Sequence, residues 1–364
     1  RLTYFRLQYL YSIFVCLYQR IKRRCKPPTA YIIMYWFFSA VVCYFISKFF
    51  ICLLFIRLVP RWPQLMRHLS HSGLNEYVDP KIHIKCYVVS IIFIVAAFNL
   101  IFSVDYLLSI IAVVTKTLDC SIEGDVYEVY VKDNFLWIFS TGIPYHYIFG
   151  IFLQVITTIT ALIWNYSDLF VMCISLYLSS ILNQINKKIL KALPASFWKS
   201  LREDYCNATC LVQIFDEAIN GIVFTAFANN LLFLCLQLYY MLTRVVPGEE
   251  CPNYPSGPFN GYEHVIYFTY AFTFSIGRTL ALCLITAKVN VSSMAAAPTL
   301  FNVPSSAYCD EVQRLIEHVY GDTVALTGMN FFYVTKPLLI TIAGTIITYE
   351  LVLIQINVGV VIKY

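Results

Sequence analysis

The carboxyl-terminal stretch from Lys336 to Tyr364 reads KPLLITIAGTIITYELVLIQINVGVVIKY. Between Lys336 and Lys363 the only charged residue is Glu350. The apolar run is therefore about 25 residues long, which is enough to cross a hydrocarbon core of about 30 Å. The sequence predicts a membrane-spanning helix here.

Small and polar residues recur along this helix at offsets of three, four and seven, so they fall roughly on one face. Small residues four apart let neighbouring membrane helices approach closely, and threonine hydroxyls can bond across the contact. The alternative is a helix that lines water, because an amide such as Gln355 needs a polar partner or a wet cavity inside a membrane. The residues alone leave both interpretations open for this stripe, which comprises Thr341, Gly344, Thr345, Thr348, Gln355 and Gly359.

The composition places the whole chain in a membrane. The chain has 364 residues, of which 59% are hydrophobic and 13% are charged, whereas soluble domains are about 25% charged. The net charge of +5 is spread over loops, which does not favour a nucleic-acid partner. No Ser/His/Asp set, metal motif or Gly-rich phosphate loop indicates an enzyme, a cofactor or a metal site. We expect an all-α integral membrane protein.

Six apolar segments precede the last helix, at about residues 4–18, 30–58, 81–116, 143–189, 201–243 and 262–288. The fourth and fifth are much longer than a membrane span of about 20 residues, so their inner ends must stand in water. The amphipathic segment Tyr308–Gly321 predicts a further water-exposed helix. The domain prediction is six spans in 1–288, a cytosolic linker with an anchor helix in 289–335, and the seventh span in 336–364.

The charges of the loops predict the topology, because basic loops lie on the inner side of a membrane. The loops at 57–85 and 187–202 are basic, and those at 118–134 and 244–263 are acidic. Seven spans then place the amino terminus inside and the carboxyl terminus outside, although the basic run Arg20–Lys26 falls outside against the rule. Cys120 and Cys251 lie in the acidic loops on the oxidising side, and a disulfide between them is a hypothesis.

The segment TYELVLIQI, Thr348 to Ile356, resembles the carboxyl-terminal signature of insect gustatory receptors. That signature is Thr-Tyr, five mostly apolar residues and Gln-Phe, and Ile356 stands where it has Phe. The preceding AGTIIT, together with RWPQLMRH, WNYSDLF and FANNLLF elsewhere in the chain, is similar to the sugar-receptor branch of that family.

The resemblance implies a sugar-gated, non-selective cation channel of the plasma membrane that acts as a sweet taste receptor. It implies seven spans per subunit and a tetramer of identical or related subunits, held together by an intracellular anchor. The last span would line the pore, with Thr348 on the lining and Gln355 and Ile356 as the gate. The implied partners are a mono- or disaccharide, membrane lipids and permeant cations.

A sugar site needs carboxylates or amides for hydroxyl groups and aromatic rings for C–H faces. Asp105 is a candidate by default, because a carboxylate inside a span is costly; pairing with a neighbouring helix is the structural alternative. Asp168 lies nearer the inner end and is expected to order helices, as are the adjacent amides Asn229 and Asn230. The outer halves of the spans supply the ligand-binding candidates Asp105, Tyr106, Tyr145, His146, Gln154, Gln237, Tyr240, Glu263, His264 and Tyr267.

Other classes fit the sequence less well. A G-protein-coupled receptor also has seven helices, but here the carboxyl terminus comes out extracellular and no Asp-Arg-Tyr or Asn-Pro motif ends the expected spans. A transporter would show broken helices and inverted repeats, which are not evident. A gustatory receptor for a tastant other than a sugar remains a further alternative.

The predicted topology can be tested at Tyr364. We expect an epitope tag fused to this residue to be stained on intact cells, because alternating basic and acidic loops place the carboxyl terminus outside. A cytosolic protein carrying the same tag serves as the permeability control. Staining of the Tyr364 tag only after permeabilisation would refute the topology.

Overall fold

The computed structural model describes residues 45–77, 111, 114, 125–139, 143–191, 197–243, 263–305 and 307–348. The predicted first span and nearly all of the third lie outside these residues. The helices are α1 (45–58), α2 (Trp62–His71), α3 (Val126–Asn134), α4 (Leu136–Phe139), α5 (Tyr147–Ile189), α6 (Trp198–Thr243), α7 (Glu263–Met294), α8 (Ala297–Phe301), α9 (Asp310–Gly321) and α10 (Lys336–Thr348). A 3-10 turn at Leu74–Tyr77 and two short strands, β1 (Thr327–Gly328) and β2 (Phe332–Tyr333), complete the described elements.

Three long helices, α5, α6 and α7, form the centre of the fold. Trp164 of α5 contacts Phe233 of α6, and Asp168 contacts Asn230, so α5 and α6 run antiparallel. Arg278 and Ser292 of α7 contact Asp168 and Asn186 of α5 in the same order along the chain, and α7 therefore runs parallel to α5. The beginnings of α5 and α7 and the end of α6 consequently lie at one end of the bundle. We call this the outer end, and the opposite one the inner end.

Within the described residues, three helices are long and apolar enough to cross a membrane, and they lie in α5, α6 and α7. The predicted bounds of the fourth and fifth spans are confirmed to within a few residues. α7 continues to Met294, six residues past the predicted end of the sixth span at Lys288, because Val289, Ser292 and Ser293 are buried against the inner bundle.

The exposed side of α5 changes character along its length. From Ile148 to Tyr166 it carries a stripe of exposed apolar side chains at helical spacing. The next exposed side chains are Asn183, Lys187 and Lys188. Because apolar surface belongs in lipid and lysine ammonium groups belong in water, this pattern agrees with the expectation that the inner part of α5 extends beyond the membrane.

α9 packs on the inner part of this bundle with its apolar face. Val312, Leu315 and Val319, at offsets of three and four, are buried. On the flank, Arg202 of α6 donates from Nε to the Glu311 carboxylate at 2.5 Å. This bond is the main reason that the pKa of Glu311 lies below its usual value. The predicted amphipathic helix at Tyr308–Gly321 is thus confirmed, beginning at Asp310.

Two segments differ from the sequence expectations. The acidic stretch treated as a loop at 118–134 contains α3, because Tyr130 and Val131 are buried in a small core with Leu153 of α5. The segment between α9 and α10 forms a β-hairpin, in which Thr327 pairs with Tyr333 and Gly328 with Phe332. The hairpin turn has no Asn-Gly or Asp-Gly pair, the usual sequence signal for such a turn.

A buried ion pair joins α5 to α7 near the middle of the bundle. Arg278 approaches the Asp168 carboxylate with Nε at 2.7 Å and Nη2 at 2.6 Å, and the Asp168 side chain is 0% exposed. Asn230 of α6 donates to the same carboxylate at 3.0 Å. The sequence placed Asp168 toward the inner end of its span, and this bond places it level with Asn230.

Trp164 and two residues of α1 lie next to the ion pair of Asp168 and Arg278 and to the neighbouring amides. The Nζ of Lys48 lies 4.4 Å from the centroid of the Trp164 ring, and the Cζ of Arg278 lies 4.2 Å from it. Ser47 donates to the side-chain carbonyl of Asn229 at 2.8 Å. Buried cation–π contacts are worth about 2 kcal/mol. We call Lys48, Trp164, Asp168, Asn230 and Arg278 the central polar cluster, and it fixes α1, α5, α6 and α7 relative to one another.

The ion pair generates a stability prediction. Arg278→Met should destabilise the protein by about 3–5 kcal/mol, because it leaves the Asp168 carboxylate buried without its cation. The double variant Asp168→Asn, Arg278→Met should recover part of this loss. The measurements are the surface level and the melting temperature of the solubilised protein. Arg314→Met is the matched control, because Arg314 is largely exposed in its ion pair. Equal melting temperatures of Arg278→Met and wild type would contradict a stabilising role of the buried pair.

Candidate ligand site and last helix

The outer end of the bundle gathers three of the sequence segments from which ligand residues were predicted. Tyr145, His146 and Gln154 come from the beginning of α5, and Gln237 comes from the last turns of α6. In the register of α5 and α6, Trp164 faces Phe233 and Asp168 faces Asn230, so Gln237 lies level with about residue 160 of α5. Gln154 therefore lies about 10 Å and Tyr145 roughly 20 Å further out by helical rise. Tyr240 also lies near the end of α6, and Glu263, His264 and Tyr267 lie in the first turns of α7. The side chains of these last four lie outside the described residues, as do Asp105 and Tyr106 entirely.

Gln237 has the chemistry of a ligand contact. Its side chain is 4% exposed, and its Oε1 accepts no hydrogen bond within the described part of the chain. A buried amide oxygen without a donor is costly, so a donor from a ligand or a water molecule would stabilise it. Gln237 lies seven residues after Asn230, which is about two turns of the same helix face. It therefore stands above the central polar cluster, on its outer side.

Tyr145 lies beside this end in the small core formed by α3 and α4. Its ring lies 6.0 Å from that of Phe139, and the Nζ of Lys132 lies 5.9 Å from the ring centroid. The phenol Oη has no hydrogen-bond partner among the described residues. A tyrosine phenol is neutral at physiological pH and can donate a hydrogen bond.

The described contacts of His146 and Gln154 involve only the backbone carbonyls of these residues. His146 is exposed just before α5, and its carbonyl accepts the first bond of the helix from Gly150 at 3.0 Å. Gln154 is half-buried, and its backbone carbonyl accepts the hydroxyl of Thr158 at 2.8 Å. Neither bond uses the polar atoms of the side chain. A ligand-binding role for His146 and Gln154 therefore stays a prediction.

Sequence reasoning missed Lys48, Arg278 and Asp216. Lys48 and Arg278 interrupt apolar runs, and a charged residue in such a run is itself a signal. Asp216 lies near the inner part of α6, where Thr327 of β1 donates its backbone N–H to Oδ1 at 2.6 Å and its hydroxyl to Oδ2 at 2.7 Å. The sequence offers no signal for this contact, because its two residues are far apart in the chain.

The last helix, α10, presents two different faces. Leu338, Leu339 and Ile342 pack against the main core. The predicted stripe lies on the other side, where Thr341, Gly344, Thr345 and Thr348 are exposed. Nothing in the described part of the chain covers this face. Within the described residues, the stripe therefore packs against no other element of the subunit. Gln355 and Ile356 lie outside the described residues.

The three threonine hydroxyls of the stripe bond to the helix itself. Thr341 donates to the carbonyl of Pro337, Thr345 to that of Thr341, and Thr348 to that of Gly344, at 3.3, 2.8 and 2.8 Å. Each hydroxyl oxygen keeps its lone pairs free to accept. The exposed face can therefore contact water or another subunit without leaving a donor unpaired.

Sequence comparison identifies relatives over most of the chain. The trehalose receptor family matches residues 37–363. The Drosophila melanogaster gustatory receptor for sugar taste 64f is 32% identical over 323 residues, which cover 85% of this chain and 64% of that receptor. The gustatory receptor 5a for trehalose of the same organism is 29% identical over 315 residues, 83% of this chain and 66% of its own length. The chain thus spans about two thirds of these relatives.

Structure comparison identifies the fold. The chain is similar to the insect olfactory receptor OR5 from Machilis hrabei with a TM-score of 0.61 and 15% sequence identity, over 97% of this chain and 88% of that one. At this identity the likeness concerns the fold alone. The resemblance seen in the sequence motifs is confirmed by the family match, which covers nearly all of the chain and describes receptors and not enzymes. The chain belongs to the trehalose receptor family, the sugar branch of the insect gustatory receptors.

Proposed function

We propose that the chain is a subunit of a sugar-gated cation channel that serves as a sweet taste receptor in the plasma membrane. The observation that carries the proposal is the family match over residues 37–363. Two relatives are named for sugar taste and for trehalose, which supports a sugar as ligand. The proposed subunit has seven spans, an amino terminus inside and a carboxyl terminus outside.

The proposed sugar site lies at the outer end, between α5, α6 and α7. The buried amide oxygen of Gln237 accepts a bond from a sugar hydroxyl, and Tyr145, roughly 20 Å further out by helical rise, lines the entrance of the site. The acidic and aromatic candidates at the beginning of α7, with Asp105 and Tyr106, complete the lining. The central polar cluster closes the site from below, because its charged groups already bond to one another and Asp168 is fully buried.

The proposed pore is lined by the last helix of each of four subunits. Its support is the stripe of Thr341, Gly344, Thr345 and Thr348, which no described part of the subunit covers. Four such stripes around an axis would form a polar lining, with the apolar faces of α10 held by the subunit cores. Gln355 and Ile356 continue the same segment toward the outer side. A ring of Ile356 side chains can block ions by excluding water.

The sugar site is tested by current recording from cells that express this chain alone, with a panel of mono- and disaccharides. We expect Gln237→Leu to shift the half-maximal sugar concentration upward about three- to tenfold, the cost of one neutral hydrogen bond. Gln213→Leu on the exposed inner part of the same helix is the matched control. Identical dose–response curves for Gln237→Leu and wild type at equal surface level would remove Gln237 from the site.

The gate is tested with Ile356→Ala and Gln355→Ala. A ligand shifts a channel only by its differential affinity for the closed and open states, so the closed seal must be marginal and small changes should bias it. We expect current without sugar, or altered ion selectivity, in either variant. Ile347→Ala removes an equal side chain about two and a half turns earlier, on the opposite face of an ideal helix, and should behave as wild type. Wild-type leak and selectivity in both gate variants would show that the seal lies elsewhere.

A further inference from the structure

The hairpin between α9 and α10 is fastened to α6 along one side. The Asp216 carboxylate receives two hydrogen bonds from Thr327, one from the backbone N–H and one from the hydroxyl. Two and three turns further along α6, the rings of Phe224 and Phe227 contact that of Phe332 at 6.4 and 5.8 Å. The hairpin therefore follows α6 over about three turns.

The contact with Asp216 is a specific one. Asp216 is 8% exposed, and among the described residues no basic side chain pairs with it. Its two oxygens depend on the two donors of Thr327, since a buried carboxylate without donors is strongly destabilising. A carboxylate at this position therefore holds one residue of the hairpin in one orientation.

The conformation of the hairpin is restricted by its backbone angles and close contacts. Met329 and Asn330 have φ values of 49° and 61°. Residues other than glycine rarely adopt this left-handed backbone conformation. A Cβ at Gly328 would lie 2.3 Å from the Phe332 ring, so the ring lies directly over this glycine. Val334 closes the hairpin with a bond from its N–H to the carbonyl of Leu326 at 2.8 Å. Thr327 and Val334 are thus held at the same end of one hairpin.

Only Thr335 separates Val334 from the first residue of α10. At its other end, α6 carries Gln237, roughly 30 Å from Asp216 by helical rise. One continuous helix consequently connects the candidate ligand contact to the base of the last helix. We propose that the contact between Asp216 and Thr327 transmits movement of α6 to α10, so that Asp216 is a positioning residue for channel opening. The proposal rests on the proposed function and adds to it the point of coupling.

The first test separates sugar binding from channel opening. Thr327→Val removes the hydroxyl bond and keeps the shape of the side chain. We expect a maximal sugar-evoked current reduced about fivefold or more at equal surface level, the size of coupling between two linked sites. Thermal stabilisation of the purified protein by sugar should stay as in wild type. Thr327→Ser, which keeps both donors, should restore the current, and Glu217→Gln at the exposed neighbouring carboxylate should change nothing.

The second test needs no sugar. Hydrogen exchange of the purified protein should be faster in residues 336–348 of Thr327→Val and of Asp216→Asn than in wild type, and unchanged in α9. Should no sugar evoke a current in wild type, the proposed function fails and this exchange result still decides on the coupling. Wild-type current and wild-type exchange in Thr327→Val would overturn the proposal. Equal loss of sugar binding and of current would overturn it too, because the contact would then only maintain the fold.

Discussion

The arrangement of this receptor depends on one buried carboxylate, Asp168, which cannot stay charged in an apolar bundle without partners. Arg278 supplies the countercharge from α7, and Asn230 supplies an amide from α6. Because each partner comes from a different helix, the carboxylate sets both the depth and the rotation of three long helices at once. The outer-end candidates and the inner bundle are positioned from this point.

The inner end of the bundle is joined by side chains that bond to the backbone of neighbouring elements. Asn186, Tyr205 and Asn290 donate to the backbone carbonyls of residues 292, 293 and 324. Toward the outer end, the Gln237 amide oxygen and the Tyr145 phenol have no partner among the described residues. A ligand could supply the donor that the Gln237 oxygen needs.

Sequence reasoning succeeded where a pattern is local. The lengths of α5 and α6 follow from apolar runs that end in lysines or charged turns, and α9 follows from its amphipathic spacing. The family resemblance came from Thr348 to Ile356 and a few similar segments. The ion pair was not predicted, since Asp168 and Arg278 are 110 residues apart. α3 was missed because charged residues such as Glu128 and Lys132 mask its buried Tyr130 and Val131.

The uninterrupted course of α6 has a consequence for how the family can diverge. Inserting or deleting one residue between Asp216 and Gln237 would rotate one end of the helix against the other by about 100°. Asp216 would then turn away from the hairpin, or Asn230 and Gln237 would turn away from α5. The number of residues along this stretch should therefore stay constant among relatives, while loops at either end vary freely in length. Differences between relatives along this stretch would then arise by exchanging side chains on a helix of fixed length.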